Sequence, residues 1–235
     1  MTEFVRHLPG STALVLDSPH SGTVYPPDFG HACDLQVLRR AEDTHVDKLY
    51  GFAPGLGAHW IEALFPRSYV DVNRALTEVD ETLIEGPWNG PKPGSEDERR
   101  KVRLGVHLVR AEQALVQRQA VVGLAPDQAF AQALAAAHGA HGYSLHINCH
   151  SMPAVAASHA TDFPGLLHPD FVVGNRDHST SSSTLADWLC AKLRAMGYEV
   201  WLNHPYKGVE LVRRYGRPQE HRHSLQLEIN RRLYM

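Results

Sequence analysis

Histidines follow two apolar stretches of the chain at points where a strand would end. Residues 13–16 read ALVL and lead through a polar turn to His20, while residues 144–148 read SLHIN and lead to Cys149 and His150. In an open α/β sheet, ligands collect beyond the carboxyl ends of the strands, so both imidazoles would face one crevice. Two imidazoles and one carboxylate, with a fourth position left to water, are the usual form of a hydrolytic zinc site. The pattern therefore predicts a metal site at His20 and His150.

Cys149 and Ser151 flank His150 and are also residue types that can act as nucleophiles. Cys149 precedes His150 on a predicted strand, so its side chain would point to the opposite face. Ser151 lacks the G-x-S-x-G elbow of a serine nucleophile. His150 is therefore the residue of this group that we expect to work in the site.

The carboxylate would come from residues 35–53, whose apolar positions have a helical period. Glu42, Asp43 and Asp47 all lie in this stretch. Asp43 and Asp47 are four residues apart and would share one face of a helix. Spacing alone does not choose between Glu42 and Asp43.

A general base is usually needed beside a metal-bound water. Residues 224–229, SLQLEI, alternate between polar and apolar side chains and predict a strand. Its apolar residues would pack, and Gln226, Glu228 and Asn230 would lie on the other face. Glu228, near the end of this strand, is therefore a candidate for the base.

Residues 67–74, RSYVDVNR, provide charged groups for an anionic substrate. If residues 68–72 form a strand, Arg67, Asp71 and Asn73 share one of its faces. Arginine suits a substrate carboxylate because its planar fork pairs with both oxygens.

Strands and helices alternate along the chain, which favours one α/β domain over residues 1–235 with a mixed or largely parallel sheet. Further strands are predicted at 59–65, 143–148, 171–173 and 198–203, and further helices at 98–122, 127–138 and 182–196. Proline and glycine dominate residues 86–94, which predicts a loop there and a candidate lid.

Composition and charge narrow the classes of function. The 235 residues include 43% hydrophobic residues and have a formal net charge of −3, which is ordinary for a soluble globular protein and indicates neither nucleic-acid nor membrane binding. No apolar run has the length of a spanning helix, and the N-terminus lacks the pattern of a signal peptide. Cys33, Cys149 and Cys190 are odd in number and far apart, which favours free thiols and a cytoplasmic location.

Six motifs in order give the chain a resemblance to the N-formylglutamate amidohydrolase family over nearly its whole length. They are PHSG (19–22), EDTHVDKLY (42–50), RSYVDVNR (67–74), CHSMP (149–153), YKGVELVRRYGRP (206–218) and LQLEINRRLY (225–234). The resemblance implies a zinc carboxypeptidase-like fold, a three-layer α/β sandwich. It also implies hydrolysis of N-formylglutamate to glutamate and formate, late in one route of histidine breakdown.

For the metal, the resemblance implies one zinc ion, or another divalent metal, bound by His20, Asp43 and His150. Asp43 is preferred to Glu42 because the family's acidic residue falls at that position.

For the chemistry, the resemblance implies that Glu228 is the base and that Arg67 stabilises the oxyanion. The remaining residues that it implies would bind the carboxylates of a small anionic N-acyl amino acid. They are Asn73, Arg74 and Arg213.

The chain departs from the family's pattern in places. Asn148 stands where the family often has an aspartate that would orient a metal-bound imidazole, and its lack of charge would lower metal affinity. Val209 replaces the second glycine of a Gly-Gly pair, and the chain ends at Met235, where many relatives continue. These departures keep two alternatives open. One is a deacylase or carboxypeptidase-like hydrolase for another N-acyl amino acid or small peptide, and the other is a relative that binds a metal or a metabolite without hydrolysis.

Overall fold

The computed structural model describes residues 4–27, 29–30, 34–75, 124–158 and 163–235. The predicted helix at 98–122 and the predicted loop at 86–94 lie outside these residues.

The described strands form one seven-stranded sheet in the order β1-β3-β2-β4-β7-β5-β6. They are β1 (Val5–Leu8), β2 (Leu14–Ser18), β3 (His59–Ala63), β4 (Ser144–Met152), β5 (Phe171–Gly174), β6 (Val200–Leu202) and β7 (Arg222–Asn230). Strands β3, β2, β4 and β7 run parallel to one another, and so do β5 and β6. The edge strand β1 joins β3, and β5 joins β7, in antiparallel fashion. The predicted mixed and largely parallel sheet is confirmed.

The helices of the described residues lie on both sides of this sheet. They are α1 (Leu35–Leu38), α2 (Val46–Leu49), α3 (Leu124–His141), α4 (Ser183–Ala195) and α5 (Glu210–Tyr215). Helix α4 is capped by Ser182, whose Oγ accepts a hydrogen bond from the Leu185 N–H at 3.3 Å. None of the helices in the described ranges is long and apolar enough to cross a membrane.

Side chains alternate between the two faces of the sheet, and each face carries its own core. Leu16 of β2 belongs to a cluster with Val46 of α2 and Cys190 of α4. Its neighbour Val15 belongs to a second cluster, which includes Phe130 of α3. Full burial of an apolar side chain of this size contributes about 1.5–3 kcal/mol to folding. Helices therefore cover both faces, and the predicted three-layer α/β fold is confirmed.

The predicted single helix over residues 35–53 is wrong. The backbone is extended at Glu42, with ψ of 148°, and left-handed at His45, with φ of 66°. Between these residues the Asp43 N–H donates to the His20 carbonyl oxygen at 3.0 Å, which ties this segment to the chain that follows β2. Asp43 and Asp47 therefore do not share a helix face.

The predicted strand over residues 68–72 is also wrong, because this segment turns. The Tyr69 N–H donates to the Pro66 carbonyl oxygen at 2.8 Å, and the Arg74 N–H donates to the Asp71 carbonyl oxygen at 3.3 Å. Tyr69 and Val70 are buried in a local apolar cluster. Their burial, and not membership of the sheet, accounts for the strand-like composition.

Candidate active site

Most of the residues predicted for the site line one cavity of about 250 Å³ beyond the carboxyl ends of β4 and β7. The predicted residues that line it are His20, Asp43, Arg67, Asn73, Arg74, His150 and Glu228. Its position agrees with the rule that sites of open α/β sheets lie at the carboxyl ends of strands.

His20, Asp43 and His150 converge closely enough to hold one metal ion. Each offers one ligand atom, and these atoms lie within 4.8 Å of one another. The Oδ2 atom of Asp43 is 2.8 Å from Nδ1 of His150 and 3.4 Å from Nδ1 of His20. All three side chains are buried. Among the described residues, these three are the His, Cys, Asp or Glu side chains whose ligand atoms converge in this way.

The donor atoms fit a divalent cation. The Nδ1 atom of His20 is buried and has no hydrogen-bond partner among the described residues, which is costly unless another ligand satisfies it. Although burial raises the pKa of Asp43, the imidazoles of His150 and His20 hold it well below its usual value. The carboxylate is therefore available as an anionic ligand. Two imidazoles and a carboxylate form a common three-residue set for catalytic zinc.

Each of the two imidazoles is held from its far side. Nε2 of His20 lies 2.7 Å from Oδ1 of Asp71, and Nε2 of His150 lies 2.7 Å from Oδ1 of Asn148. Such partners fix the tautomer and the ring orientation of a metal-binding histidine. Asp71 is not among the site residues that the sequence predicts. Its position in the motif that contains Arg67 is the signal that marks it.

Glu42, the alternative ligand, points elsewhere. Its carboxylate accepts hydrogen bonds from the Tyr25 hydroxyl and from Nε of Arg39, the latter at 3.4 Å. Because Asp43 and not Glu42 belongs to the converging group, the geometry favours Asp43.

Glu228 lies beside His150 because the parallel register of β4 and β7 pairs these two residues. Its side chain is buried, and its Oε1 accepts a hydrogen bond from Nε2 of Gln226 at 2.8 Å. Burial raises the pKa of Glu228, and the positive charge of a protonated His150 only partly opposes this. A carboxyl group with a raised pKa can both accept and return a proton near neutral pH.

Arg67 and Arg74 bring positive charge to the cavity wall. Nη2 of Arg67 lies 2.8 Å from Oδ2 of Asp71, and Nε of Arg74 lies 3.8 Å from the same oxygen. Both guanidinium groups remain partly exposed, so they can also meet a substrate anion.

Asn73 and Arg213, both predicted to bind substrate, make contacts within the protein. Asn73 is buried, and its amide is engaged by Asn148 and by the Leu211 N–H. Arg213 is not among the described residues that line the cavity. Its side chain is 55% exposed and pairs with Glu210 at 2.7 Å, because α5 turns its apolar side chains to the core and its basic ones to solvent.

Arg231 lines the cavity but is not among the residues that the sequence predicts for the site. Its Nε donates to Ser151 Oγ at 3.0 Å and its Nη2 donates to the Glu42 carbonyl oxygen at 2.6 Å. Nη2 also lies 3.5 Å from Oδ1 of Asp43. The neighbouring Arg232 pairs with Asp170 at the surface, and nothing in the basic pair itself distinguishes the two arginines.

Cys149 and Ser151 flank His150 on β4. Cys149 packs in the apolar cluster on the opposite face from His150, and burial raises the pKa of its thiol well above the usual value. Ser151 Oγ donates to Oδ1 of Asp43 at 3.2 Å. Neither group has the setting of a nucleophile.

Comparison with known proteins gives matches over nearly the whole chain. The family model for N-formylglutamate amidohydrolase matches residues 12–235. An N-formylglutamate deformylase of Pseudomonas aeruginosa is 31% identical over 241 residues, which cover 100% of this chain and 86% of that protein. A second N-formylglutamate deformylase, of Pseudomonas putida, is 29% identical, and the match covers 96% of this chain and 83% of that protein.

Two solved structures share the fold. The crystal structure of N-formylglutamate amidohydrolase from Ralstonia eutropha JMP134 matches with a TM-score of 0.88 and 38% identity, over 99% of this chain and 88% of that chain. A gene product of Agrobacterium tumefaciens matches with a TM-score of 0.63 and 18% identity, over 99% of this chain and 86% of that chain. At that identity the second match supports the fold alone.

Proposed function

Because the chain belongs to the N-formylglutamate amidohydrolase family, we propose that it hydrolyses N-formylglutamate to glutamate and formate. The proposal is supported most directly by the convergence of His20, Asp43 and His150 next to Glu228 in one cavity. The named activity of the two Pseudomonas relatives supports the choice of substrate.

Zinc is the cation that we propose for His20, Asp43 and His150. The Nε2 atoms of the histidines face Asp71 and Asn148, which leaves the two Nδ1 atoms and an Asp43 oxygen as ligands. When bound, the ion supplies a Lewis acid that polarises the amide carbonyl and lowers the pKa of water. The other tasks of the reaction fall to side chains of this chain.

Glu228 moves the proton. It accepts a proton from the attacking water as the water oxygen bonds to the formyl carbon. It then gives that proton to the amide nitrogen as the carbon–nitrogen bond breaks, which releases formate and glutamate. Its place beside His150 in the strand register and its raised pKa suit both steps.

The arginines orient the substrate and stabilise the negative charge that develops on it. Arg67 would donate to the carbonyl oxygen as it gains charge, and Arg74 would bind a carboxylate of the glutamate part. Anchoring at a distance from the reacting carbon holds that carbon against the attacking water. Asn73 holds Asn148 through its amide, and because Asn73 also lines the cavity, its contact with the substrate remains part of the proposal.

Formate release from N-formylglutamate by the zinc-loaded protein tests this function. A parallel panel of N-acetylglutamate, an N-formyl amino acid with an apolar side chain, and a small peptide tests the alternative hydrolases. Turnover of N-formylglutamate well above the other substrates is the expected result. Zinc binding without turnover of any of them would instead favour a non-catalytic relative.

Two broader predictions belong to the same proposal. Strands β1 and β7, from opposite ends of the chain, lie in one sheet, which supports a single domain over residues 1–235. The free and buried thiols of Cys149 and Cys190 support a cytoplasmic location.

A further inference from the structure

A buried polar network connects His150 to Asp17, a residue that the proposed mechanism does not use. The register of β2 and β4 pairs Asp17 with Asn148, which lies between the two. Nδ2 of Asn148 is 3.1 Å from Oδ1 and 3.0 Å from Oδ2 of Asp17, and Oδ1 of Asn148 is 2.7 Å from Nε2 of His150. The exposed fractions are 4% for Asp17, 0% for Asn148 and 3% for His150, so these side chains have little contact with bulk water.

The chemistry of these groups fixes the orientation of the Asn148 amide. A carboxylate only accepts hydrogen bonds, so Asn148 must turn its NH₂ group to Asp17 and its carbonyl oxygen to His150. To donate to that oxygen, His150 must carry a proton on Nε2. The Nδ1 lone pair, which lies next to Asp43, is then the one available to a cation.

Asn73 restrains the same amide from a second direction. Its Oδ1 accepts the Leu211 N–H at 2.9 Å, so its Nδ2 must face Oδ1 of Asn148, at 3.1 Å. Nδ2 of Asn73 also lies 3.0 Å from Nε2 of His150. These two nitrogens are both donors, and they share Oδ1 of Asn148 as their acceptor. If the Asn148 amide were flipped, its oxygen would face the Asp17 carboxylate and its NH₂ group would face the NH₂ group of Asn73.

Asp17 is itself held in place. Nε2 of His146 lies 2.6 Å from its Oδ1, and Nδ1 of His146 lies 2.6 Å from Ser224 Oγ on β7. Oδ1 of Asp17 thus contacts both His146 and Asn148, and Oδ2 contacts Asn148. Its carboxylate accepts from Asn148 whether His146 is neutral or charged.

We propose that Asp17 is a positioning residue for the cation site, which acts through Asn148 to set the tautomer and orientation of His150. The inference rests on the proposed function only in that it takes His150 as a ligand. The amide of an Asp17→Asn variant could either donate to Asn148 or accept from it. Residue 17 would then no longer disfavour the flipped orientation of the Asn148 amide. Zinc affinity should then fall about 10–100-fold, as is typical when a partner of a metal-binding histidine is removed.

A double-mutant cycle tests this role. Zinc dissociation constants are measured by chelator competition for wild type, Asp17→Asn, Asn148→Asp and the double variant. Asn148→Asp alone places two buried carboxylates next to each other, so the metal-free protein should lose stability to urea. In the double variant the amide at position 17 donates to a carboxylate at position 148, which accepts directly from His150. Its zinc affinity should recover to within about threefold of wild type.

Asp170→Asn is the matched control, since it removes one carboxylate whose hydrogen bonds come from Arg232 and the Glu199 N–H and not from this network. Its zinc affinity should equal that of wild type. A second readout is the ¹⁵N spectrum of His150 in the metal-free protein, at a pH at which its imidazole is neutral. Wild type and the double variant should show the proton on Nε2, and Asp17→Asn should show a mixture of tautomers.

The role of Asp17 is refuted if Asp17→Asn binds zinc as tightly as wild type, or if the double variant binds no better than Asp17→Asn. If Asp17→Asn does not fold, the double variant decides, and a tenfold or greater loss of zinc affinity in it refutes the role. No substrate is used, so a failure to hydrolyse N-formylglutamate leaves this test intact. A wild-type protein that binds no divalent metal would remove the premise of both proposals.

Discussion

Replacing Glu228 with glutamine removes the proposed base with little change of shape. The carbonyl oxygen of the new amide can still accept the hydrogen bond from Gln226, which is 2.8 Å long in the native protein. The fold and the cation site should therefore survive, and the change should act on the chemical step. The negative charge of Asp43 acts on Glu228, but Asp43 is engaged with His150 at 2.8 Å and is not free to take over proton transfer.

The size of the effect follows from the role. Positioned general acid–base groups contribute about 10²–10⁴-fold, which corresponds to about 2.7–5.4 kcal/mol in the barrier. We expect the upper half of that range, because Glu228 is only 7% exposed and bulk water has little access to replace it. The loss should appear in kcat, with KM little changed, since the arginines that bind the substrate are untouched.

The assay is steady-state formate release from N-formylglutamate by zinc-loaded protein, with the zinc content of each sample measured. Glu220→Gln is the matched control, because Glu220 is exposed and its ion pair with Arg222 is long, at 3.7 Å. This variant should keep the wild-type kcat. If Glu228→Gln keeps more than about a tenth of the wild-type kcat at full zinc content, Glu228 is not the base.

Three further predictions concern the substrate, the cation and pH. Arg74→Met should raise the KM for N-formylglutamate about 10–100-fold, because a hydrogen bond to a charged group contributes about 1.5–3 kcal/mol, whereas Arg213→Met should leave KM unchanged. Asp71→Asn should weaken zinc binding about tenfold or more in a chelator competition, since Asp71 orients His20; unchanged affinity would contradict that role. Burial, with the nearby His7 and His141, lowers the pKa of His59, so the unfolded chain takes up this proton first as pH falls. Above about pH 6.5, neutral His59 makes its full contribution to the free energy of unfolding. Below that pH the contribution falls by at most about 1.4 kcal/mol per pH unit. Urea unfolding between pH 7 and pH 5 should show a smaller decline for His59→Gln, and an identical decline would contradict the assignment.

The sheet could be predicted from the sequence because its central strands carry apolar residues either in a short run or in alternation, and polar residues follow them. The errors arose where tertiary contacts override local pattern. Residues 35–53 have a helical period, but the hydrogen bond from Asp43 to the His20 carbonyl belongs to a break that no local pattern signals. The edge strand Val5–Leu8, which pairs with β3, is too short and too polar to stand out.

The residues that converge at the site follow from strand ends and motifs, but their supporting contacts do not. His20 and Asp71 are 51 positions apart, and Asp17 and Asn148 are 131 apart, so only the folded chain reveals that they touch. Arg231 is hidden for a related reason, because a basic pair after the last strand is usually exposed to solvent. Arg213 is a related case: a motif marks its position, but only the folded chain shows that its side chain lies on the exposed face of α5.

The proposed cation site is tested most directly by metal stoichiometry. Wild type, His20→Ala, Asp43→Ala and His150→Ala are loaded with zinc and dialysed, and their metal content is measured by mass spectrometry alongside circular dichroism to verify folding. We predict one zinc ion per wild-type chain and nearly none in each folded variant. A wild-type chain without bound metal, or folded variants that retain a full equivalent, would contradict the assignment of these residues as ligands.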